Sequence, residues 1–391
     1  MANKEIPLSV PNLSMDILDN VRETIETGWV STGGKFITEF EDKIAQYVGV
    51  ERAVSTQSGT AGLHLALRVL DVEPEDEVIV PTLTFIAAVN PVRYIGAEPV
   101  FMDCDDTLNM DMNKLEDFLA NECHFVDGKV INKKTGKEIK AVIVVHVFGN
   151  PAKMEKLMII KEKYNLPVIE DATEALGSFY KDGKYGGKHC GTIGDVGVYS
   201  FNANKIITTG GGGMIVSKDM DLLDRAKFLG VQAKTNPLYF IHDEVGYNYR
   251  MTNVQAAFGT SQIDRLEDFI ETKIANYNLY KDSIEDIEGL TLLPFRSDTR
   301  ANHWFYSVLV DEDKYGINRD ELLRRLNDNN VQTRPLWGLI HKQKPYLGNM
   351  GYRLKKAMLF EKNLINIPCS SNLSSEDAKI VIGYLKKFKN V

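Results

Sequence analysis

Short, β-branched, mostly uninterrupted apolar runs recur through the first half of the chain: RAVSTQ, DEVIVP, AEPVFMD, KAVIVVHVFG, LPVIED, VGVYSF and GGMIVS. A strand with one wet face alternates apolar and polar residues. A strand covered on both faces reads as a continuous apolar run. Segments with helical spacing lie between several of these runs, among them TEFEDKIAQYVGV, SGTAGLHLALRVL and AKMEKLMIIKEKYN. Strands alternating with helices predict an α/β domain with a mostly parallel sheet clad on both sides. In the first helix, Thr38 with Glu41 matches a capping box and Gly49 supplies the stop.

Two segments break the rhythm. Residues 121–139 are polar and turn-rich around Asp127-Gly128 and Thr135-Gly136, which predicts an inserted hairpin before the strand at Ala141. Beyond about residue 260 the pattern becomes long charged helices with a few strands, such as NHWFYSVLVDE, and a helix at RDELLRRLNDN. We therefore expect a large α/β domain over 1–259 and a smaller α+β domain over 260–391.

The net charge of −8, with lysines scattered among acids, argues against a nucleic-acid surface. The N-terminus MANKEIPLSVPNLS lacks an apolar signal core, and no apolar run is long enough for a bilayer. Cys104, Cys123, Cys190 and Cys369 lie far apart without a CxxC pair. That spacing fits reduced thiols in the cytoplasm and offers no metal site; Cys123-His124 has no partner pair and reads as surface loop.

In open α/β sheets ligands bind beyond the carboxyl ends of the strands. Ser58-Gly59-Thr60 follows a strand and opens a helix, where backbone N–H groups and the helix dipole favour a phosphate. Neither GxxxxGK[ST] nor a convincing GxGxxG is present, so nucleotide hydrolysis and Rossmann dehydrogenation lose their main support. Asp171 ends a buried strand, where a carboxylate needs a partner. Lys205 comes 34 residues later, also past a strand end, with Ser200 just before it and four glycines, Gly210–Gly213, after it. A phosphate cup, a carboxylate and a lysine suit one cofactor. Pyridoxal 5′-phosphate (PLP) takes a lysine as a Schiff base, pairs its ring nitrogen with an acid and anchors its phosphate on backbone donors. The glycines serve as a tight turn into the next strand.

The chain resembles the DegT/StrS-type sugar-nucleotide aminotransferases, fold-type I PLP enzymes. The likeness runs through GWVSTGGKFITEFEDKIAQYVGVERAVSTQSGTAGLHLAL, PTLTFIAAVNPVRYIGAEPVFMD, HVFGNPAKM, VIEDATEALGSFY, GDVGVYSFNANKIITTGGGGMI, GYNYRMTNVQAAFGTSQI and WGLIHKQKPY, in family order. The resemblance implies that Lys205 holds PLP and is the catalytic residue, and that Asp171 pairs with the pyridine nitrogen. It implies that Gly59, Thr60 and Ser200 hold the phosphate and that Phe85 stacks on the ring. Asn248 and Arg250 match a loop that reaches the neighbouring subunit's phosphate, so a homodimer with shared sites is expected. Glu174 stands where the family commonly has Gln. An ionised Glu only accepts hydrogen bonds, so Glu174 is protonated, bridges through water or faces the substrate. His341 is the candidate substrate contact. Trp304 and Phe305 read as core, and Tyr247 and Tyr249 as interface packing. By resemblance L-glutamate is the amino donor and a nucleotide sugar the acceptor. Finer likeness points to the branch making UDP-2-acetamido-4-amino-2,4,6-trideoxyhexose, for bacillosamine- and legionaminic-type glycans. GDP-perosamine and dTDP-viosamine branches are the alternatives. A PLP-dependent sugar dehydratase would lack the lysine, and a non-catalytic PLP-fold regulator would be expected to lose Lys205 or Asp171.

Overall fold

A computed structural model describes residues 4–236 and 238–389. Among the described residues ten strands form one sheet. Its main path runs Ala53–Thr56, Gly213–Val216, Val196–Ser200, Val168–Asp171, Glu138–Val145, Glu77–Pro81, Glu98–Met102 and Gly351–Tyr352. All neighbours are parallel except at Gly213–Val216, which runs against the strand on each side. Alternate residues feed separate cores. Val78, Val80, Ile143, Val145, Val196 and Val198 join one apolar cluster, while Ile79, Val142, Val144, Val168 and Tyr199 join the other. Burial on both faces is what the uninterrupted apolar runs require.

The predicted hairpin is present as Cys123–Val126 and Lys129–Asn132, turned by Asp127 and Gly128, both at positive φ. Its second strand pairs with the start of Glu138–Val145. A buried hydrogen bond from Asn132 Nδ2 to Glu77 Oε2, 2.7 Å, pins it to the sheet. Cys123-His124 thus belongs to a strand, with the Cys123 thiol buried. All four cysteines are free and buried, and no group of His, Cys, Asp or Glu among the described residues could hold a metal ion. No helix there is long and apolar enough to cross a membrane.

One local expectation fails. The helix runs Lys35–Val48 with Gly34 as its N-cap, so Thr38 and Glu41 lie inside it and form no capping box. The Glu41 carboxylate instead accepts from the backbone N and hydroxyl of Ser55, at 2.9 and 2.6 Å. A tertiary contact uses the side chain that the local pattern assigned to the cap. Gly49 ends the helix in the left-handed region, as expected.

The last third carries an antiparallel sheet ordered Leu290–Leu292, Tyr306–Val310, Leu364–Ile367 and Arg334–Pro335. We propose that it is the heart of a smaller α+β unit. The expected boundary at 259/260 falls inside the helix Asn253–Ile263, and Gly351–Tyr352 pairs with the large sheet, so chain number alone does not separate the two units.

The strand Val196–Ser200 has no room for one more atom at Gly197. A Cβ there would lie 1.8 Å from the Gly191 carbonyl oxygen. The Gly191–Gly194 loop cannot retreat, because the Glu170 carboxylate accepts the N–H groups of Gly191, Ile193 and Gly194. We predict that Gly197→Ala costs about 3 kcal/mol, the upper end for overpacking a core. Denaturant unfolding checks this, and a loss below about 1 kcal/mol would contradict it.

Candidate active site

Three strand ends and one helix N-terminus converge. After Ala53–Thr56, Ser58 adopts an extended backbone and caps the helix Gly59–Val69, its hydroxyl accepting from Ala61 N at 3.1 Å. The helix lies hard on the strand beside it. A Cβ on Gly59 would meet Ser200 Cβ at 2.9 Å and Thr173 Cγ2 at 3.0 Å, and one on Gly62 would meet Val198 Cγ1 at 2.7 Å. Two glycines three apart therefore let the free N–H groups of the helix reach Ser200 and the end of Val168–Asp171. From the other side, a Cβ on Gly213 would sit 2.6 Å from the Ser58 carbonyl carbon. The glycine run after Lys205 thus allows close backbone approach as well as a turn, and Gly211 and Gly212 line the cavity themselves.

Glu170 and Asp171 end the same strand and point to opposite faces. Besides its three backbone donors, Glu170 takes His146 Nε2 at 2.9 Å. His146 Nδ1 accepts from Ala152 N at 3.0 Å, which places the ring proton on Nε2 toward Glu170; burial opposes the charged form, while Cys190 and Glu170 pull its pKa up. Burial works against the Glu170 charge, but the His146 and backbone hydrogen bonds outweigh it and hold its pKa below the usual range. Asp171 fares differently. It is buried, accepts from Thr173 N at 3.1 Å and has no ion-pair partner among the described residues. Burial pushes its pKa up, against the Thr173 hydrogen bonds and the Lys205 charge.

Lys205 reaches the same space. Its Nζ lies 4.0 Å from the centre of the Trp304 ring and 3.7 Å from Glu174 Oε1. Trp304 is held by a hydrogen bond from its Nε1 to the Asn204 carbonyl, 2.7 Å. Glu174 Oε2 accepts from Phe148 N at 2.7 Å. Burial raises the Glu174 pKa to about 7 and lowers that of Lys205, so desolvation drives both partners toward neutral. A neutral amine is the form of lysine that adds to a carbonyl.

These groups line a cavity of about 670 Å³, within the range of small-molecule sites. Gly59, Thr60, Phe85, Asp171, Glu174, Ser200 and Lys205 all face it. Asn248, Arg250 and His341 do not. Asn248 bridges to Val231, and Arg250 borders a separate small cleft beside Glu41 and Ser55. His341 Nδ1 is 2.6 Å from Thr82 Oγ1, with its ring 6.4 Å from that of Phe101. Trp304 and Phe305 are buried and also line the cavity, so reading them as core alone missed half of their role. Thr173, Asn202, Arg334 and Trp337 line it too and were not anticipated. Thr173 sits two residues past Asp171 and could have been found there; Arg334 comes from the distant antiparallel sheet and Trp337 from the loop just after it.

The comparisons with known proteins settle the family. Residues 11–386 match the profile of the DegT/DnrJ/EryC1/StrS aminotransferase family. This chain belongs to that family. It is 35% identical over 389 residues to the EpsN protein of Bacillus subtilis (strain 168), covering 98% of this chain and 95% of that one. It is 35% identical over 395 residues to GDP-perosamine synthase of Escherichia coli O157:H7, covering 98% and 99%. The aminotransferase TlmJ from Streptoalloteichus hindustanus has the same fold, with a TM-score of 0.87, 30% identity and coverage of 98% and 99%. The protein is thus a PLP-dependent sugar aminotransferase with an α/β fold of the kind expected. The cavity fits the cofactor on its own terms: it holds a buried carboxylate with no ion-pair partner among the described residues, a helix N-terminus cleared by glycines, and a desolvated lysine amine.

The Glu174 shift has a sign that can be tested. Its folded pKa, about 7, exceeds the ordinary 4.5, so the folded chain holds this proton more tightly. That contribution is full below about pH 4.5 and fades as pH rises through about 7. In cofactor-free protein, the Tm of wild type minus that of Glu174→Gln should fall between about pH 5 and pH 8. The sign should hold in a Lys205→Ala background, where the lysine cannot contribute. A pH-independent difference would reject the assignment.

Proposed function

We propose that the protein is a 4-aminotransferase moving the amino group of L-glutamate to a nucleotide-linked 4-keto-6-deoxyhexose for surface glycan synthesis. The carrying observation is the buried Lys205 amine, set between Trp304 and Glu174 and facing the Asp171 carboxylate across one cavity. Bound PLP supplies an electron sink that makes the donor's Cα–H acidic. The chain does the rest. Asp171 keeps a positive ring N–H beside it, which an unpaired buried carboxylate favours. Gly59, Thr60 and Ser200 hold the phosphate at the helix N-terminus. Phe85, which lines the cavity, would stack on the ring. Lys205 would take the Cα proton of the donor as base and, as acid, would deliver it to the cofactor carbon that receives the amino group, and in the second half-reaction the transfers would run in reverse. Glu174, in its protonated form, donates a hydrogen bond as the family's Gln amide does.

We place Asn248 and Arg250 at the phosphate of a neighbouring subunit in a homodimer. Their position outside the cavity of their own subunit supports this, as do the exposed apolar residues Leu238, Tyr239, Phe240 and Val245 on the nearby segment. His341 stays a candidate substrate contact on motif grounds alone.

Two readings of the nucleotide compete. The motifs around Asp171 and Lys205, with the hairpin at 121–139, support a UDP-linked 2-acetamido-4-keto sugar. The 35% identity to GDP-perosamine synthase over nearly both full chains supports a GDP-linked 4-keto-6-deoxyhexose, and that compound is the first to test. The holoenzyme should show the visible absorbance of bound PLP, and L-glutamate should bleach it. Lys205→Ala should lose turnover and the lysine-linked chromophore. Retained turnover in that variant would sink the proposal. A panel of GDP-, UDP- and dTDP-linked 4-keto sugars, read by mass spectrometry for the amino product, then separates the branches.

A further inference from the structure

Both substrates of the proposed reaction are anions, a dicarboxylate and a nucleoside diphosphate sugar. Among the described residues, only two basic side chains line the cavity, Lys205 and Arg334. Lys205 is committed to the cofactor. Within one subunit the Ser58–Thr60 turn offers backbone groups and no cation, and the Arg250 proposed at the phosphate comes from the neighbouring subunit.

An exposed arginine is by default solvated, but Arg334 differs from that default in three ways. First, it is unmatched. Arg225, Arg296, Arg300 and Arg319 each meet a carboxylate, whereas the one partner of the Arg334 guanidinium among the described residues is the Thr333 carbonyl, 3.0 Å from Nη1. Second, it is built into the wall. Arg334 pairs in register with Asn366 in the antiparallel sheet, and both line the cavity. Asn366 is buried, and its Oδ1 accepts the Ser307 hydroxyl at 2.7 Å. Its Nδ2 therefore remains a donor beside the guanidinium. Third, aromatic rings line the same cavity. Trp337 lies 6.3 Å from Phe85 and 4.8 Å from Phe148, centre to centre. A planar guanidinium with free N–H groups, beside a buried amide donor and aromatic walls, suits the paired oxygens of a carboxylate or phosphate.

We propose that Arg334, with Asn366 as a neutral co-donor, is the anion anchor for substrate, gripping carboxylate or phosphate oxygens at the cavity wall made by the C-terminal sheet. The proposal rests on the aminotransferase reading for what the anions are. It gives the wall that this subunit contributes, which carries two acids, a fixed positive group to meet an anionic substrate.

The test uses Arg334→Gln and Arg334→Lys in the holoenzyme, with the two half-reactions measured separately. Bleaching of the PLP band by L-glutamate reads the carboxylate arm. Its return with the 4-keto nucleotide sugar reads the diphosphate arm. In the affected arm, half-saturation should rise about 10- to 100-fold in Arg334→Gln, with a smaller change in the rate at saturation, as expected for a lost charged hydrogen bond. Arg334→Lys should recover part of the loss, because it restores charge without the fork. A shift in the glutamate arm alone assigns the anion as the donor carboxylate, and a shift in the sugar arm alone assigns the diphosphate. Unchanged half-saturation in both arms overturns the proposal. Calorimetric titration of wild type and Arg334→Gln with GDP, UDP and 2-oxoglutarate gives a readout independent of turnover. If no sugar is aminated, the substrate reading fails, yet weaker anion binding by Arg334→Gln still supports the anchor. Equal binding by both proteins, or none by wild type, overturns it.

Discussion

The site depends on two adjacent carboxylates that the fold treats in opposite ways. Glu170 and Asp171 end one buried strand, and the pleat sends them to different faces. Glu170 receives four donors, from His146 and from the backbone of Gly191, Ile193 and Gly194. A buried carboxylate so satisfied stays charged and clamps the loop that precedes Val196–Ser200. Asp171 receives far less and faces the cavity. Leaving one buried acid short of partners is costly unless a cation arrives, and the protonated ring nitrogen of PLP is such a cation. The structural acid thus fixes the strand at whose end the acid proposed to pair with the cofactor waits.

Close packing does the positioning. Gly59 and Gly62 let the helix Gly59–Val69 approach Ser200, Thr173 and Val198, and Gly213 lets the returning strand pass the Ser58–Gly59 backbone. Each contact would be broken by a single Cβ, so the Ser58–Thr60 turn, Asp171 and the segment carrying Lys205 are registered against one another by missing side chains. That registration matters because catalysis between bound groups depends on ångström-scale placement. The glycines after Lys205 therefore belong to the architecture of the site, beyond supplying a turn.

Much of this was legible because it is local. Parallel strands announce themselves as apolar runs, the Asp127-Gly128 hairpin by its turn residues, and the meeting of Ser58–Thr60, Asp171 and Lys205 at one cavity by their place just past strand ends. What escaped was tertiary. Glu41 looked like a capping residue until Ser55 claimed its carboxylate. Trp304 looked like core, and is buried, but the same ring carries the Lys205 amine over its face. Arg334 and Trp337 have no local signature at all, since their role exists only when the antiparallel sheet closes one side of the cavity.

The electrostatics of that cavity follow from where its charges come from. The large sheet contributes the acids Asp171 and Glu174 together with Lys205, all desolvated and pushed toward neutral by burial. The second sheet contributes the cationic guanidinium of Arg334. Proton transfer benefits from groups whose charge is easily changed, because their pKa values sit near the working pH. Recognition of an anion benefits from a charge that does not change. Drawing the two kinds of group from different sheets lets each keep the environment it needs: a dry one around Lys205 and Glu174, and a wetter one at Arg334.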